Sequence, residues 1–384
     1  MRLAVCGLYA LRILRDVRRR NPSALERRTA APVPDPSPRK RWTAGMVPLE
    51  ALMMSERPSK EHPLDVAVPD SAHRLRAGFV RNTVYGAGIA PGSFVDVDGN
   101  IAIPCPELLF VDLVGHLRFP VLVLLGYELC GSFGRDPRDP MMGDVSFGLP
   151  PATSVERIRA FIDACTYLPG KEDAIRALGY VADNAWSPME AVLATMLTLP
   201  LPVGGYGLGE LRLNTRYVNP AQLVDLGCPT SRVPDIELAV APVGFNYDGR
   251  GHYDLETVAA APDDAAQRDA VRAARAKYVD DLRRNRELLA MGRVILPVCS
   301  EDLFEQGGLD ALVLEALGCV ELTGVEVPSF ARDYLRSPGA ASKRQELLWS
   351  MLPWAEAAAI ARELEREASR TPEWLKARLS RYAV

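Results

Sequence analysis

The chain has 384 residues, of which 48% are hydrophobic and 24% are charged, with a formal net charge of -4 and a sequence pI of about 5.8. This hydrophobic content is enough for a large core and excludes global disorder, and the length predicts two or three domains. The mild net acidity gives no overall attraction for nucleic acid, so any such contact has to come from a local patch.

Positive charge is concentrated at the start of the chain, where residues 1–41 carry eleven Lys or Arg against three acidic residues. Such a run usually means a solvated helix face, and the alternative is an arm that contacts phosphates. The seven cysteines are scattered without a Cys-x-x-Cys spacing, and the chain does not open on an uninterrupted apolar signal segment. The most apolar segment, Leu108–Tyr127, contains Asp112, His116 and Arg118, which argues against a membrane span. We therefore expect a cytoplasmic protein with reduced thiols and no membrane partner.

The first half of the chain predicts a small α+β domain behind a basic helix. Residues 1–45 form that helix and a Pro-rich arm, 46–150 the domain, and 151–186 a helical connector. Strands are predicted at Leu64–Val68, Phe79–Tyr85 and Phe94–Ile103, and the last contains a hairpin turn at Asp98-Gly99-Asn100. Apolar helices are predicted from residue 106 to about 117 and from 120 to about 129.

The second half predicts a further domain at 187–325 and a helical tail at 326–384. Helices are expected at 187–197, 263–291 and 303–317, and strands at 211–217, 236–240, 243–248 and 294–298. The order is helix, three strands, helix, strand, helix. The fold class is therefore α/β (α+β), with a central mixed sheet flanked by helices.

Two short apolar runs within this domain, Ile236–Val240 and Val243–Tyr247, are typical of neighbouring buried strands. Asp235 precedes the first run and Asp248 ends the second. Hard oxygen ligands at one edge of a sheet are what a hydrolytic enzyme uses to hold Mg²⁺. The sequence therefore predicts a site for Mg²⁺, or Mn²⁺, at this edge.

This order resembles the restriction-endonuclease-like (PD-(D/E)XK) superfamily, and within it the small nucleases related to very-short-patch-repair endonuclease. The resemblance is carried by Ser187-Pro188-Met189-Glu190, Val233-Pro234-Asp235, Phe245-Asn246-Tyr247-Asp248-Gly249 with His252, and the helix around Arg275–Asn285. The family has an acid on the first helix, an Asp on the second strand, and Glu-x-Lys or Glu-x-Asp on the third.

Position by position, this pattern falls on Glu190, Asp235, Asn246 and Asp248, where Asn246 departs from the expected carboxylate. The resemblance implies a metal-dependent DNA endonuclease of a defence or repair system, with a site that is degenerate at Asn246. Asp235, Asn246 and Glu190 would be its metal ligands, and Asp248 would complete the catalytic set. Residues expected to bind DNA are Arg250, His252, Lys277 and Arg284.

The first half resembles abortive-infection (AbiE-type) antitoxins around Leu64–Pro69, Phe79–Tyr85 and Pro106–Leu113. The stretches LGYELCGSF and SPMEAVLATMLTLP are similar to those of proteins that join such a segment to a nuclease-like domain. This implies the alternative function, a non-catalytic antitoxin-like or regulatory protein that binds DNA or a toxin or defence partner. The oligomeric state stays open.

Each site residue also has a purely structural interpretation. Ser187 and Glu190 have the spacing of a capping box, so Glu190 is either a cap or a ligand. Asp248-Gly249 is a hairpin-turn signal, and a lone histidine such as His252 is more often on the surface. The arginines of the long helix alternate with acidic residues, which favours ion pairs within the helix over phosphate contacts.

Overall fold

The computed structural model describes residues 3–31, 33–34, 42–248 and 263–353. The chain divides into two compact units, residues 1–191 and 192–384. Both mix helices with small sheets, so the fold is of the α+β kind. No helix within the described ranges has the length and apolarity needed to cross a bilayer.

The first unit contains seven strands and five helices in its described residues, and a sixth helix starts near its end. Its strands are β1 (Leu3–Ala4), β2 (Leu64–Val68), β3 (Val80–Val84), β4 (Phe94–Asp96), β5 (Ile101–Pro104), β6 (Phe133–Gly134) and β7 (Ser146–Phe147). The helices are α1 (Gly7–Arg20), α2 (Pro106–Asp112), α3 (Phe119–Cys130), α4 (Val155–Ala164), α5 (Lys171–Leu178) and α6 (Pro188–Thr198).

The predicted hairpin at residues 94–103 is confirmed, because β4 and β5 pair antiparallel. The Asp98 carboxylate accepts hydrogen bonds from the N–H groups of Asn100 and Ile101, and Gly99 has a φ of +83° that favours glycine. Beyond the turn, β5 also pairs with β1 in parallel. The other predicted strands, β2 and β3, pair in parallel, which needs a longer connection than a hairpin.

Two arginines of α1 are buried, so the solvated-face interpretation of the basic run is wrong for them. The Arg15 guanidinium donates two hydrogen bonds, of 2.8 and 2.7 Å, to the carboxylate of Glu128. Arg18 is 2% exposed and donates to four carbonyl oxygens, those of Glu128, Gly131, Phe133 and Pro150. Burial alone would raise the pKa of Glu128, but Arg15 more than offsets this and the pKa is lowered. These arginines therefore hold the core of the first unit together.

The second unit carries the predicted strand-rich domain. After the end of α6, its strands are β8 (Leu211–Leu213), β9 (Tyr217–Val218), β10 (Ser231–Arg232), β11 (Ile236–Leu238), β12 (Val243–Asp248) and β13 (Val294–Cys299). The helices are α7 (Ala221–Asp225), α8 (Asp264–Ala290), α9 (Ser300–Phe304), α10 (Gly308–Leu322), α11 (Ser329–Arg336) and α12 (Pro338–Trp349).

A four-stranded mixed sheet with the order β13-β12-β11-β8 forms the centre of this unit. Strands β8, β11 and β12 form an antiparallel meander, and β13 pairs with β12 in parallel. A parallel neighbour requires a crossover connection, which contains α8. Gly244 allows β11 and β12 to approach, because a Cβ there would lie 2.2 Å from the carbonyl oxygen of Ile236. The predicted strands and helices are present, but β9, α7 and β10 lie between β8 and β11, so the chain order differs from the predicted run of three consecutive strands.

Helix α8 is anchored beside the sheet by a buried ion pair between Arg232 of β10 and Glu287. The side chains are 6% and 9% exposed, and the guanidinium donates to both carboxylate oxygens at 2.8 and 3.0 Å. Asn219 donates a further hydrogen bond to Glu287, and Arg232 also binds Asp280. The hydrogen bond from Arg232 lowers the pKa of Glu287. Without Arg232, a buried carboxylate on α8 would lose its counter-charge.

We predict that Arg232→Met lowers the free energy of unfolding of the second unit by about 3 kcal/mol at neutral pH, because the pair is buried. Since the folded pKa of Glu287 is depressed, this stabilisation is complete above the unfolded value of about 4.3 and is lost as pH falls through the folded value. The difference between wild type and variant should shrink in acid. Native-state hydrogen exchange of the β12 and β13 amides measures the free energy of unfolding of both proteins at each pH.

The matched control is Arg272→Met, which removes an exposed pair with Asp269 on the same helix, where the side chains are 79% and 73% exposed. Exposed pairs contribute about 0–1 kcal/mol. Equal effects of the two substitutions, or a difference independent of pH down to pH 3, would contradict the assigned role of Arg232.

Candidate functional site

The predicted meeting of Asp235 and Asn246 is present at the edge of the central sheet. Asp235 lies immediately before β11, and Asn246 lies opposite it on β12, one position beyond the paired residues Ile236 and Phe245. The Asp235 N–H donates to the Asn246 side-chain oxygen at 2.9 Å. In return, the Asp235 carboxylate accepts from the N–H of Tyr247 at 2.7 Å. The two side chains therefore join the strands reciprocally.

Asn246 is fully buried, and both ends of its amide are used. Its oxygen faces the Asp235 N–H, so its nitrogen faces away and donates to the side-chain oxygen of Asn285 on α8 at 3.1 Å. A Glu or Asp at this position would face the Asp235 carboxylate with a second negative charge. The neutral amide makes the edge stable without a counter-ion.

Asp248, at the end of β12, is 3.3 Å from Arg284 of α8, and the two side chains are 19% and 18% exposed. Arg284 also lies 3.3 Å from Asp281. The predicted DNA-binding role of Arg284 is therefore not supported by its surroundings, because two carboxylates of the protein surround its guanidinium. Lys277, the other described residue expected to bind DNA, is exposed on α8.

Glu190 and Ser187 form the N-cap contact of α6 that the sequence predicts. Its N–H donates to the Ser187 hydroxyl at 3.1 Å, and its carboxylate accepts from the Trp186 N–H at 2.9 Å. The capping-box pattern predicts that the Glu190 carboxylate accepts from the N–H of Ser187, which follows Trp186 in the chain. Glu190 lies in the first unit, whereas Asp235 and Asn246 lie in the second. The cap interpretation of Glu190 is therefore confirmed.

Two predicted residues, Arg250 and His252, lie outside the described residues. Among those described, no group of three or more His, Cys, Asp or Glu side chains is arranged to hold a metal ion. The donors at the sheet edge are hard oxygens, which suit Mg²⁺ in kind. These donors offer little negative charge to a divalent cation, because Asn246 is neutral and Asp248 is paired with Arg284.

A second polar cluster, built on Glu237, was missed by sequence reasoning. Glu237 is fully buried and accepts from the Tyr217 hydroxyl and from Arg293, both at 2.7 Å. The Arg293 guanidinium also stacks over the Tyr217 ring at 3.9 Å from its centroid. Burial and the hydrogen bond to Glu237 raise the pKa of Tyr217 to about 12. The signal was available, since an acid between Ile236 and Leu238 in a buried strand needs a partner.

We predict that Asn246→Asp couples stability to divalent cations. The new carboxylate is buried beside Asp235, so the melting temperature in EDTA should fall by several degrees, consistent with a loss of about 1–3 kcal/mol. Adding Mn²⁺ should restore more stability than it adds to wild type, because a cation that binds only the folded state stabilises it. Differential scanning fluorimetry with EDTA or MnCl₂ measures both values.

The control is Gln222→Glu, which adds the same charge at an exposed position of α7. An equal response to Mn²⁺ in the control and in Asn246→Asp would contradict a cation site at the sheet edge.

Comparison of the chain with protein-family models, with curated proteins and with solved structures gives no match.

Proposed function

We propose that residues 187–325 act as a restriction-endonuclease-like domain of the PD-(D/E)XK type that hydrolyses DNA phosphodiester bonds slowly. The observation that carries the proposal is the reciprocal contact of Asp235 and Asn246 at the edge of a mixed sheet. The supporting context is a sheet with three antiparallel strands, in which α8 lies in the connection to a fourth, parallel strand. The biological setting proposed is a defence or repair system.

The chemistry would depend on Mg²⁺ or Mn²⁺, which supplies positive charge for the transition state and lowers the pKa of an attacking water molecule. Asp235 would be the carboxylate that holds such a cation, and Asp248 lies further along β12. Asn246 fixes the backbone of Asp235 without adding charge. If the missing charge lowers the rate about a thousandfold, the loss is roughly 4 kcal/mol of transition-state stabilisation.

A second function is favoured by a specific observation. Asn246 is fully buried, its amide oxygen accepts from Asp235 and its amide nitrogen donates to Asn285, while Asp248 is paired with Arg284. An edge whose polar groups are satisfied within the protein suits a scaffold that binds without cleaving. In that case the chain would be an antitoxin-like or regulatory protein whose partner is DNA, a toxin or another defence protein.

We predict that wild-type protein converts supercoiled plasmid to the nicked form with Mn²⁺ or Mg²⁺ and that Asp235→Asn slows this at least about 100-fold. Asparagine keeps an oxygen that can accept from Tyr247 N–H, so the substitution removes the charge and preserves the fold. Single-turnover nicking assays on agarose gels measure the rate. The control, Asp225→Asn, removes a carboxylate at an exposed site of α7.

Nicking that survives Asp235→Asn, or that is equally slow in Asp225→Asn, would eliminate the endonuclease assignment. When wild type does not cut, the Asn246→Asp variant separates the two functions. Gained cleavage indicates a degenerate nuclease site, and none indicates the binding function.

A further inference from the structure

Helix α8 is 27 residues long and largely exposed, and its charges separate into faces that the linear sequence hides. An α-helix turns by about 100° per residue, so five arginines fall within about 80° of one another around the helix axis. They are Arg268, Arg272, Arg275, Arg283 and Arg286. We call this group the arginine face. All five are exposed, and the face extends about 27 Å along the helix axis at 1.5 Å per residue.

The acidic residues of α8 are mostly directed into pairs with other groups. Asp280 and Glu287 bind Arg232, and Asp281 lies 3.3 Å from Arg284. Asp269 pairs with Arg272 of the arginine face, and Asp264 lies near this face in the first helical turn, where an acid is favourable for the helix dipole.

Four cations of the face, Arg268, Arg275, Arg283 and Arg286, have no ion pair within the described ranges. The expectation of a helix dominated by internal ion pairs is therefore wrong for these four.

The side of α8 that faces the protein lies away from the arginine face. Leu288 is buried, and Ala270 and Ala274 are half-buried, at about 120–160° around the helix from Arg268. The buried Arg232–Glu287 pair anchors the C-terminal half of the helix. The arginines therefore lie on the outward side of the helix, and the buried pair fixes the half that carries Arg283 and Arg286.

We infer that the arginine face is a binding surface for the phosphate backbone of duplex DNA. Guanidinium groups suit phosphate because they donate in a bidentate fork and stay charged at any physiological pH. Duplex DNA carries one negative charge per about 1.7 Å of axis, so 27 Å of helix lies alongside a dense row of phosphates. The choice of DNA rests on the proposed function. Arg283 and Arg286 flank Arg284 and Asn285, which contact Asp248 and Asn246, so the face continues from the candidate site along the helix.

An anionic membrane is the competing polyanion, because a line of exposed apolar side chains runs beside the arginines. Val271, Tyr278, Leu282 and Leu289 are 49%, 43%, 48% and 59% exposed. A helix that lies in a membrane interface has a broad apolar face rich in Trp, Phe and Leu. Here the line is one residue wide and contains one aromatic ring. These features favour DNA.

The test is fluorescence anisotropy with a labelled 20-base-pair duplex in EDTA, at 50–300 mM salt. We expect the Arg275→Gln/Arg283→Gln double variant to bind roughly 10- to 60-fold more weakly near 0.1 M salt. The slope of log affinity against log salt should be shallower by about 2, because two phosphate contacts are lost. Glutamine has a helix propensity close to that of arginine, and circular dichroism checks that the fold is intact.

The control, Arg159→Gln/Arg336→Gln, makes the same charge change at exposed positions of α4 and α11 and should leave both quantities unchanged. No measurable wild-type binding, an unchanged slope in the face variant, or an equal loss in the control would each overturn the inference. Loss of binding to phosphatidylserine vesicles, with duplex binding intact, would assign the face to a membrane and also overturn it. Because EDTA prevents metal-dependent cleavage, these outcomes are independent of whether plasmid nicking occurs.

Discussion

The contact on which the candidate site depends is the reciprocal bonding between Asp235 and Asn246. It closes the edge of the β11–β12 pair at the point where the strands stop pairing, and through Asn285 it extends to α8. Three elements that are separate in sequence therefore share one set of polar groups. Because Asn246 is fully buried, each of these bonds replaces contacts with water, and losing one partner would leave another group unsatisfied.

This arrangement sets the chemistry that the edge can perform. A carboxylate at position 246 would accept from Asp235 N–H as well as the amide does, but it would lack a donor toward Asn285 and would repel Asp235. Two such acids are stable together only with a cation between them or a shared proton. The amide removes that requirement and leaves the edge with one carboxylate fewer. Asparagine at position 246 therefore lets the two strands meet without a second buried charge.

The parts of the fold that sequence predicts well are those set by local patterns. Strand β2 and strand β12 begin and end where the apolar runs do, and the β4–β5 hairpin follows from its Asp-Gly turn. What the sequence does not determine is the partner of a charged residue. Arg18 belongs to a basic run but binds carbonyls more than 100 residues away, because the packing of α1 encloses it. Glu237 looks like a surface acid but is paired with Arg293, 56 positions later in the chain.

In helix α8 too, the partners of the charged residues do not follow from the sequence alone. Along the sequence its arginines and acids alternate, which predicts mutual neutralisation, but a period of 3.6 residues sorts them onto different sides. The acids at 280, 281 and 287 are then held by Arg232 of β10 and by Arg284, which also contacts Asp248 of β12. These acids are therefore not available to neutralise the outward arginines at 268, 275, 283 and 286, which have no ion pair in the described part of the chain. A chain with net negative charge can in this way present a local row of positive charge, since attraction to a polyanion depends on the nearby field and not on the sum over the molecule.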